Sequence, residues 1–231
     1  MSVRATWPVV VLCAGLLLPR AGRAQPAHEE GCAEGVEKGE TLLTNGDLAG
    51  AERALAAAIR VCEKDPVFAS ARPYMALGKI YFERADYAAA VPHFEKALVH
   101  EPKLALAHMN LCAAYMQMGD FERAVASGQK ALAAKDKPTK FKATYNLGLA
   151  HFKWAAARED MKDVRSAKYF EDAIKLDPKF ADSYFFLGMV ELVQRNRPAK
   201  ARPLFKKGCD RGHAGACKQL EPPSPADAPT E

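Results

Sequence analysis

Cysteine and histidine are the residue types in this chain that most often carry catalytic or metal-binding chemistry, and the sequence contains six of each. Thiolates act as nucleophiles or metal ligands, and imidazoles bind metals or transfer protons. The spacing of His93, His100 and His108 is not the spacing expected of histidines that bind one metal ion. The sequence has no Walker-type phosphate loop and no H-E-x-x-H, G-x-S-x-G or C-x-x-C motif. We therefore predict no catalytic residue, no metal site and no cofactor, and interpret these histidines as solvated or helix-end residues.

The elements that must position any binding side chains are pairs of short amphipathic helices, seen most clearly in residues 71–102. The apolar face of the first helix contains Tyr74, Leu77, Gly78 and Tyr81. Gly78 lets another backbone approach this face closely. Asp86 is placed to cap a second helix, whose apolar face is centred on Phe94. Helices this short are marginal in water on their own, so the pair needs neighbours.

The same pattern recurs at an interval of thirty-four residues. Leu111, Cys112 and Tyr115 repeat Leu77, Gly78 and Tyr81, and the one weak match is Gly128 in place of Phe94. This period with helix-turn-helix character resembles the tetratricopeptide repeat, and the resemblance covers residues 32–220. It implies an all-α fold, a right-handed α-α superhelix of about five helix-turn-helix repeats with a C-terminal capping helix.

The repeat phase also sets the expected boundaries along the chain. We predict a signal peptide over 1–24, a leader over 25–31, repeats over 32–70, 71–104, 105–140, 141–180 and 181–220, and a disordered tail over 221–231. Leu147 and Leu187 are forty residues apart instead of thirty-four, so the fourth repeat contains an insertion, which we place between Trp154 and Ala167. The insertion is either a solvated helix end or a protrusion that docks a partner.

The N-terminus has the features of an export signal. A short basic start precedes the apolar run from Val9 to Leu18, and small residues before Gln25 offer a cleavage site. A retained membrane anchor is the competing interpretation, although the run is shorter than the roughly 20 residues of a span. Loss of residues 1–24 would remove three arginines and no acid, lowering the formal net charge from +5 to +2. We therefore expect no nucleic-acid partner and no integral membrane span after cleavage.

Cys32 and Cys62 are expected near the start of one helix and near the end of its antiparallel partner. In an exported protein this arrangement predicts a Cys32–Cys62 disulfide. Two unrelated buried thiols are the alternative. Cys112 takes the small-residue place of Gly78, so we interpret it as a buried, unreactive thiol.

The segment from Gly208 to Cys217 departs from the tetratricopeptide pattern and resembles the related Sel-type repeats. The resemblance implies that Cys209 and Cys217 lie on adjacent antiparallel helices and form a disulfide. Residues 214–220 would then be the capping helix that covers the last apolar face. Because Sel-type relatives include cysteine-rich β-lactam-binding proteins, this resemblance also suggests an enzyme as an alternative class.

A stack of such repeats presents a groove lined by the first helix of each pair. The positions expected to face it are Met75, Lys79, Phe82, Met109, Asn110, Met116, Lys142, Tyr145, Asn146, Phe152, Phe185 and Met189. Thioethers and aromatic rings suit an adaptable apolar site for a peptide or a helix. Asn110 and Asn146 match the places where peptide-binding members of the family position an asparagine, whose amide can both donate to and accept from a ligand backbone. The carboxylate clamp of chaperone-binding members is absent, since Met75 and Asn146 stand where that pattern requires cations.

These features predict a non-enzymatic protein-interaction scaffold that is exported to the periplasm, the outer membrane or the extracellular space, in the style of a bacterial protein. Its partner would be a protein or peptide held in the groove. The alternatives are a structural envelope component that assembles with itself and leaves the groove empty, and a Sel-like β-lactam-binding protein or hydrolase. The oligomeric state does not follow from the sequence.

Overall fold

The computed structural model describes residues 27–64, 70–160 and 162–221, with side chains from residue 31 onward. The predicted signal peptide, the start of the leader and nearly all of the predicted tail lie outside the described residues. Within them, the secondary structure consists of helices. The helices are α1 (Ala27–Thr44), α2 (Leu48–Cys62), α3 (Arg72–Glu83), α4 (Tyr87–His100), α5 (Ala105–Gln117), α6 (Phe121–Ala131), α7 (Lys137–Ala157), α8 (Arg165–Leu176), α9 (Ala181–Met189), α10 (Pro198–Cys209) and α11 (Ala214–Lys218).

The first ten helices form five consecutive pairs, and each pair packs against the next. The short helix α11 packs against α10, where Ala216 lies with Ala201 and Phe205. This arrangement confirms the predicted all-α repeat solenoid with a terminal capping helix. We call the first helix of each pair an inner helix, so that the inner helices are α1, α3, α5, α7 and α9.

A recurring turn joins the two helices of a pair. A residue with positive φ comes first, and in the first three pairs an aspartate follows it and caps the second helix. Gly46 and Gly119 adopt this conformation readily because they have no Cβ. Ala85 adopts it at φ 59°, although its Cβ makes the left-handed conformation less favourable. The carboxylate of Asp86 then accepts a hydrogen bond from the Ala89 N–H at 3.1 Å, as the sequence predicted.

Four of the five pairs pack a glycine of the inner helix against a large side chain of the second helix. A Cβ added to Gly78 would lie 2.5 Å from the ring of Phe94, and one added to Gly188 would lie 2.6 Å from Phe205. The third pair differs, because Cys112 lies on the inner helix and Gly128 faces it. Leu147 of α7, in the next pair, also lies against Gly128, so a side chain from the neighbouring repeat occupies the space that a large residue at position 128 would fill.

The extra residues of the fourth repeat are shared between a helix and a turn. Helix α7 has 21 residues, whereas α3 has 12 and α5 has 13. The turn that follows is held by Asp163, which is 9% exposed and accepts hydrogen bonds from Arg158 at 2.9 Å and from Arg165 at 2.6 Å. The side chain of Trp154 has the guanidinium of Arg158 over its ring at 4.3 Å.

The fifth pair departs from regular α-helical structure at the end of its inner helix. Helix α9 continues into a π-helical segment, Val190–Gln194, in which the Arg195 N–H donates to the Val190 carbonyl at 3.0 Å. A π-helical turn absorbs one additional residue without ending the helix. Glu191 of this segment is buried and pairs with Arg195.

Both ends of the stack contain a cysteine pair joined by a disulfide in the structure. The Cα atoms of Cys32 and Cys62 are 5.1 Å apart, and those of Cys209 and Cys217 are 4.7 Å apart. The first of these links α1 to α2. Helix α1 begins at Ala27, so it includes residues that the sequence had placed in the leader.

Candidate functional site: a groove between inner helices

The inner helices do not all pack on one another. Helix α1 packs on α3 and α5 packs on α7, whereas α3 and α5 make few direct contacts. An open groove with a volume of about 960 Å³ lies there. It is lined by Glu40, Leu43, Thr44, Ala71, Arg72, Met75, Ala76, Lys79, Phe82, Glu83, Glu101, Leu104, Leu106, Met109, Asn110 and Lys142.

Half of the residues that the sequence placed in a groove line this one. They are Met75, Lys79 and Phe82 from α3, Met109 and Asn110 from α5, and Lys142 from α7. Met75 and Phe82 are half-buried. Three helices therefore bring thioethers, a ring, an amide and two ammonium groups to one surface.

Sequence reasoning missed two apolar residues at the edges of the groove, Leu43 of α1 and Leu104 directly before α5. Leu106, in the first turn of α5, also lines the groove. It is 43% exposed, which is unusual for a leucine in a well-packed repeat. The available signal for Leu104 was an apolar residue two positions after the Glu-Pro that ends a repeat.

The charged groups of the groove are partly neutralised by one another. Arg72 donates two hydrogen bonds to Glu40, at 3.3 and 2.6 Å, and Lys79 lies 3.6 Å from Glu83. Asn110 and Lys142 are different, since neither side chain makes a hydrogen bond or ion pair with the described residues. The amide of Asn110 thus has its donor and acceptor groups available in a mainly apolar surface.

Met116 was expected in the groove, and this expectation is wrong. It is 6% exposed and packs in the core with Leu147 and Ala150. The same cluster contains Trp154, which belongs to the lengthened end of α7. Because α7 is longer than α3 and packs directly on α5, the end of α5 is covered at this point.

The remaining predicted positions lie around a second gap, between α7 and α9, which is filled by aromatic rings. Tyr145 packs edge-on against Phe180 with ring centroids 4.9 Å apart, and Phe152 packs edge-on against Phe186 with centroids 5.9 Å apart. The ring of Phe185 stacks on His213 with centroids 4.2 Å apart. Met189 packs near Phe205 in the last core cluster. Asn146 is half-buried on α7 and is not part of the open groove. The described rings of this gap contact one another, and none of these side chains lines the groove between α3 and α5.

Two titratable groups of the inner helices have raised pKa values. Burial, together with the nearby carboxylate of Asp182, raises the pKa of Tyr145, so its phenol stays protonated. Burial also raises the pKa of Cys112 to about 12, which keeps its thiol protonated and unreactive at neutral pH.

Two further features are absent from the described residues. No group of three or more histidine, cysteine, aspartate or glutamate side chains is arranged to hold a metal ion in this part of the chain. No helix among the described residues has both the length and the apolar character needed to cross a membrane.

Five stacked helix pairs with an open groove between inner helices define a repeat-solenoid protein. Family comparison identifies the repeats: models of the tetratricopeptide repeat match residues 81–145 and 154–215, which together make up more than half of the chain. The chain belongs to the tetratricopeptide-repeat family. No curated protein matches the sequence significantly.

Solved structures with the same fold include the following three. A MamA structure has 21% identity and a TM-score of 0.65, covering 84% of this chain and 99% of its own. PilF of Pseudomonas aeruginosa has 18% identity and a TM-score of 0.67, with coverages of 83% and 82%. YrrB, described as a tetratricopeptide-repeat protein with an unusual peptide-binding site, has 19% identity and a TM-score of 0.64, with coverages of 83% and 96%. These identities support similarity of fold alone.

Proposed function

We propose that this protein is an exported, non-enzymatic scaffold of the cell envelope or extracellular space that binds a peptide or a helix in the groove between α3 and α5. The observation that carries the proposal is that Met75, Phe82 and Met109 line the same groove as Asn110, whose amide makes no hydrogen bond with the described residues. An extended ligand has unpaired backbone N–H and C=O groups, and such an amide can satisfy one of each. The apolar neighbours would supply most of the binding free energy by burial.

Export is part of the proposal and is supported by two features. The first is the apolar N-terminal run followed by small residues. The second is the placement of four of the cysteines in two pairs close enough for disulfides, an arrangement typical of oxidising compartments. The Sel-type resemblance of residues 208–217 is consistent with α11 acting as the cap, since Ala216 packs against Phe205.

The test is a selection of displayed peptides on the folded protein from residue 25 onward, followed by affinity measurements with groove variants. The double variant Met75→Ala with Phe82→Ala should weaken selected peptides by about a hundredfold, because two large apolar contacts are lost. Asn110→Ala should weaken them by about tenfold, the effect of one or two hydrogen bonds. Asn146→Ala is the matched control outside the groove and should bind as the wild type does.

Other results would favour the competing classes. Peptides that bind equally well to the groove variants would show that the groove is not the site. A concentration-dependent oligomer that is lost in Met75→Ala with Phe82→Ala, with no selected peptide, would indicate self-assembly through this surface. Hydrolysis of nitrocefin by the wild-type protein would indicate an enzyme of the Sel-like class.

A further inference from the structure

A second surface adjoins the groove and differs from it in charge. We call it the lysine trough: an open depression of about 900 Å³ lined by the connection into α5, the end of α6 and the connection into α7. Its lining includes the apolar residues Ala105, Ala133 and Ala134. The lining also includes the exposed lysines Lys103, Lys130 and Lys135.

The positive charge of the trough is not neutralised by the described chain. None of these three lysines forms an ion pair with a described carboxylate. The one acid in the trough, Asp136, has a carboxylate oxygen that accepts the Thr139 N–H at 2.8 Å at the start of α7. The one imidazole, His108, is buried with its Nε2 at 3.2 Å from the Pro102 carbonyl, and burial lowers its pKa. The trough therefore has a net positive charge at neutral pH.

The trough and the groove form one continuous surface. Leu104 and Leu106 line both of them, and Glu101 with Leu104 also lines a shallower depression between the two. Lys142, which has no ion pair among described residues, lies on the groove at the α7 side. A ligand that fills the groove can thus continue past Leu104 and Leu106 into the trough.

We propose that the ligand is a peptide segment of a partner protein in which apolar residues are followed or preceded by several acidic residues. The apolar residues occupy the groove, and the acidic residues lie along Lys103, Lys130 and Lys135. This inference rests on the proposed function and adds to it the charge of the ligand. An acidic peptide is favoured over a nucleic acid because the described lining of the trough has alanines and leucines and offers no exposed ring on which a base would stack.

The test uses three fluorescent peptides with the same apolar half and with glutamates, glutamines or lysines in the other half. Fluorescence anisotropy at about 50 mM NaCl should give the glutamate peptide an affinity about tenfold higher than the glutamine peptide, with the lysine peptide weakest. This preference should disappear at about 500 mM NaCl, because exposed charges are screened over a few ångströms at that concentration.

The variant Lys103→Gln, Lys130→Gln, Lys135→Gln should bind the glutamate and glutamine peptides equally. The matched control is the triple variant Lys168→Gln, Lys200→Gln, Lys218→Gln. These three lysines are also exposed and also lack ion pairs with described residues, but they lie outside the trough. The control variant should retain the wild-type preference. An unchanged preference in the trough variant, or its loss in the control variant, would overturn the inference.

The groove variant Met75→Ala with Phe82→Ala separates the two proposals. If the groove variant weakens binding of the glutamate and glutamine peptides alike while the trough variant leaves the preference for glutamate unchanged, the proposed groove function is supported and the acidic ligand is contradicted. If the trough variant abolishes the preference but the groove variant has no effect, the trough binds acidic chains without the groove and the combined ligand is wrong. An oligonucleotide that competes more strongly than the glutamate peptide would assign the trough to nucleic acid, and binding of no peptide would contradict both proposals.

Discussion

The substitution Gly78→Ala tests whether the glycine contacts between helices determine how closely each pair packs. The new Cβ would lie 2.5 Å from Phe94, whose ring is 1% exposed and has no room to move away. Overpacking of this kind costs about 1 to 3 kcal/mol, and the gain in helix propensity of alanine over glycine offsets about 1 kcal/mol. We expect a net loss of up to about 2 kcal/mol in the free energy of unfolding.

Two other glycines provide controls for the same chemical change. A Cβ at Gly128 would lie 3.1 Å from Cys112 and from Leu147, and one at Gly31 would lie 3.8 Å from Val61. We expect Gly128→Ala to be close to neutral and Gly31→Ala to stabilise by about 0.5 to 1 kcal/mol. Urea unfolding followed by far-UV circular dichroism measures all three. If Gly78→Ala is as stable as Gly31→Ala, the packing argument is refuted.

Three further predictions concern cysteines and a buried carboxylate. Replacing Cys32 and Cys62 by serine should reduce the free energy of unfolding by about 3 to 4 kcal/mol under oxidising conditions, which is the loop-closure estimate for a separation of 30 residues. The same replacement should leave the stability of the reduced protein almost unchanged. Urea midpoints with and without reductant measure both effects. Cys112 should resist iodoacetamide at pH 8 in the native protein and react in urea, as read by mass spectrometry, since burial raises its pKa to about 12. Hydrogen bonds from Arg165 lower the pKa of Asp163 to about 2, below the ordinary value of 3.8, so its stabilising effect is present above about pH 4 and is lost as the pH falls towards 2. Asp163→Asn should therefore cost about 2 kcal/mol at neutral pH and flatten the pH dependence of the urea midpoint in that interval. A native alkylation of Cys112, or an unchanged acid profile in Asp163→Asn, would contradict the respective argument.

The helix pairs could be predicted from the sequence because their cause is local. Apolar residues at helical spacing, an aspartate after each early turn and a glycine opposite a large side chain are all visible in one chain. The departure at Cys112 and Gly128 was visible as well, but only as an imperfect match. Its explanation required the three-dimensional contact, because Leu147, which lies against Gly128, comes from the next helix pair.

The shape of the groove could not be predicted, because it depends on contacts between repeats. Met116 has the spacing of a groove residue, yet the lengthened α7 covers it. Tyr145 and Phe152 have the composition of a binding site, but the rings of α9 fill that gap. The distance between neighbouring inner helices decides which side chains stay accessible, and no single repeat encodes this distance.

The contrast between the open gap and the ring-filled gap sets a length for the ligand. The accessible surface extends from Glu40 of α1 to Lys142 of α7, across four inner helices. With helix axes about 10 Å apart, this distance is on the order of 30 Å, which an extended chain covers with about nine residues. The aromatic rings between α7 and α9 end the surface on one side. Recognition would thus use a short linear segment of a partner, and a longer segment would have to leave over the edge of the solenoid near Leu106.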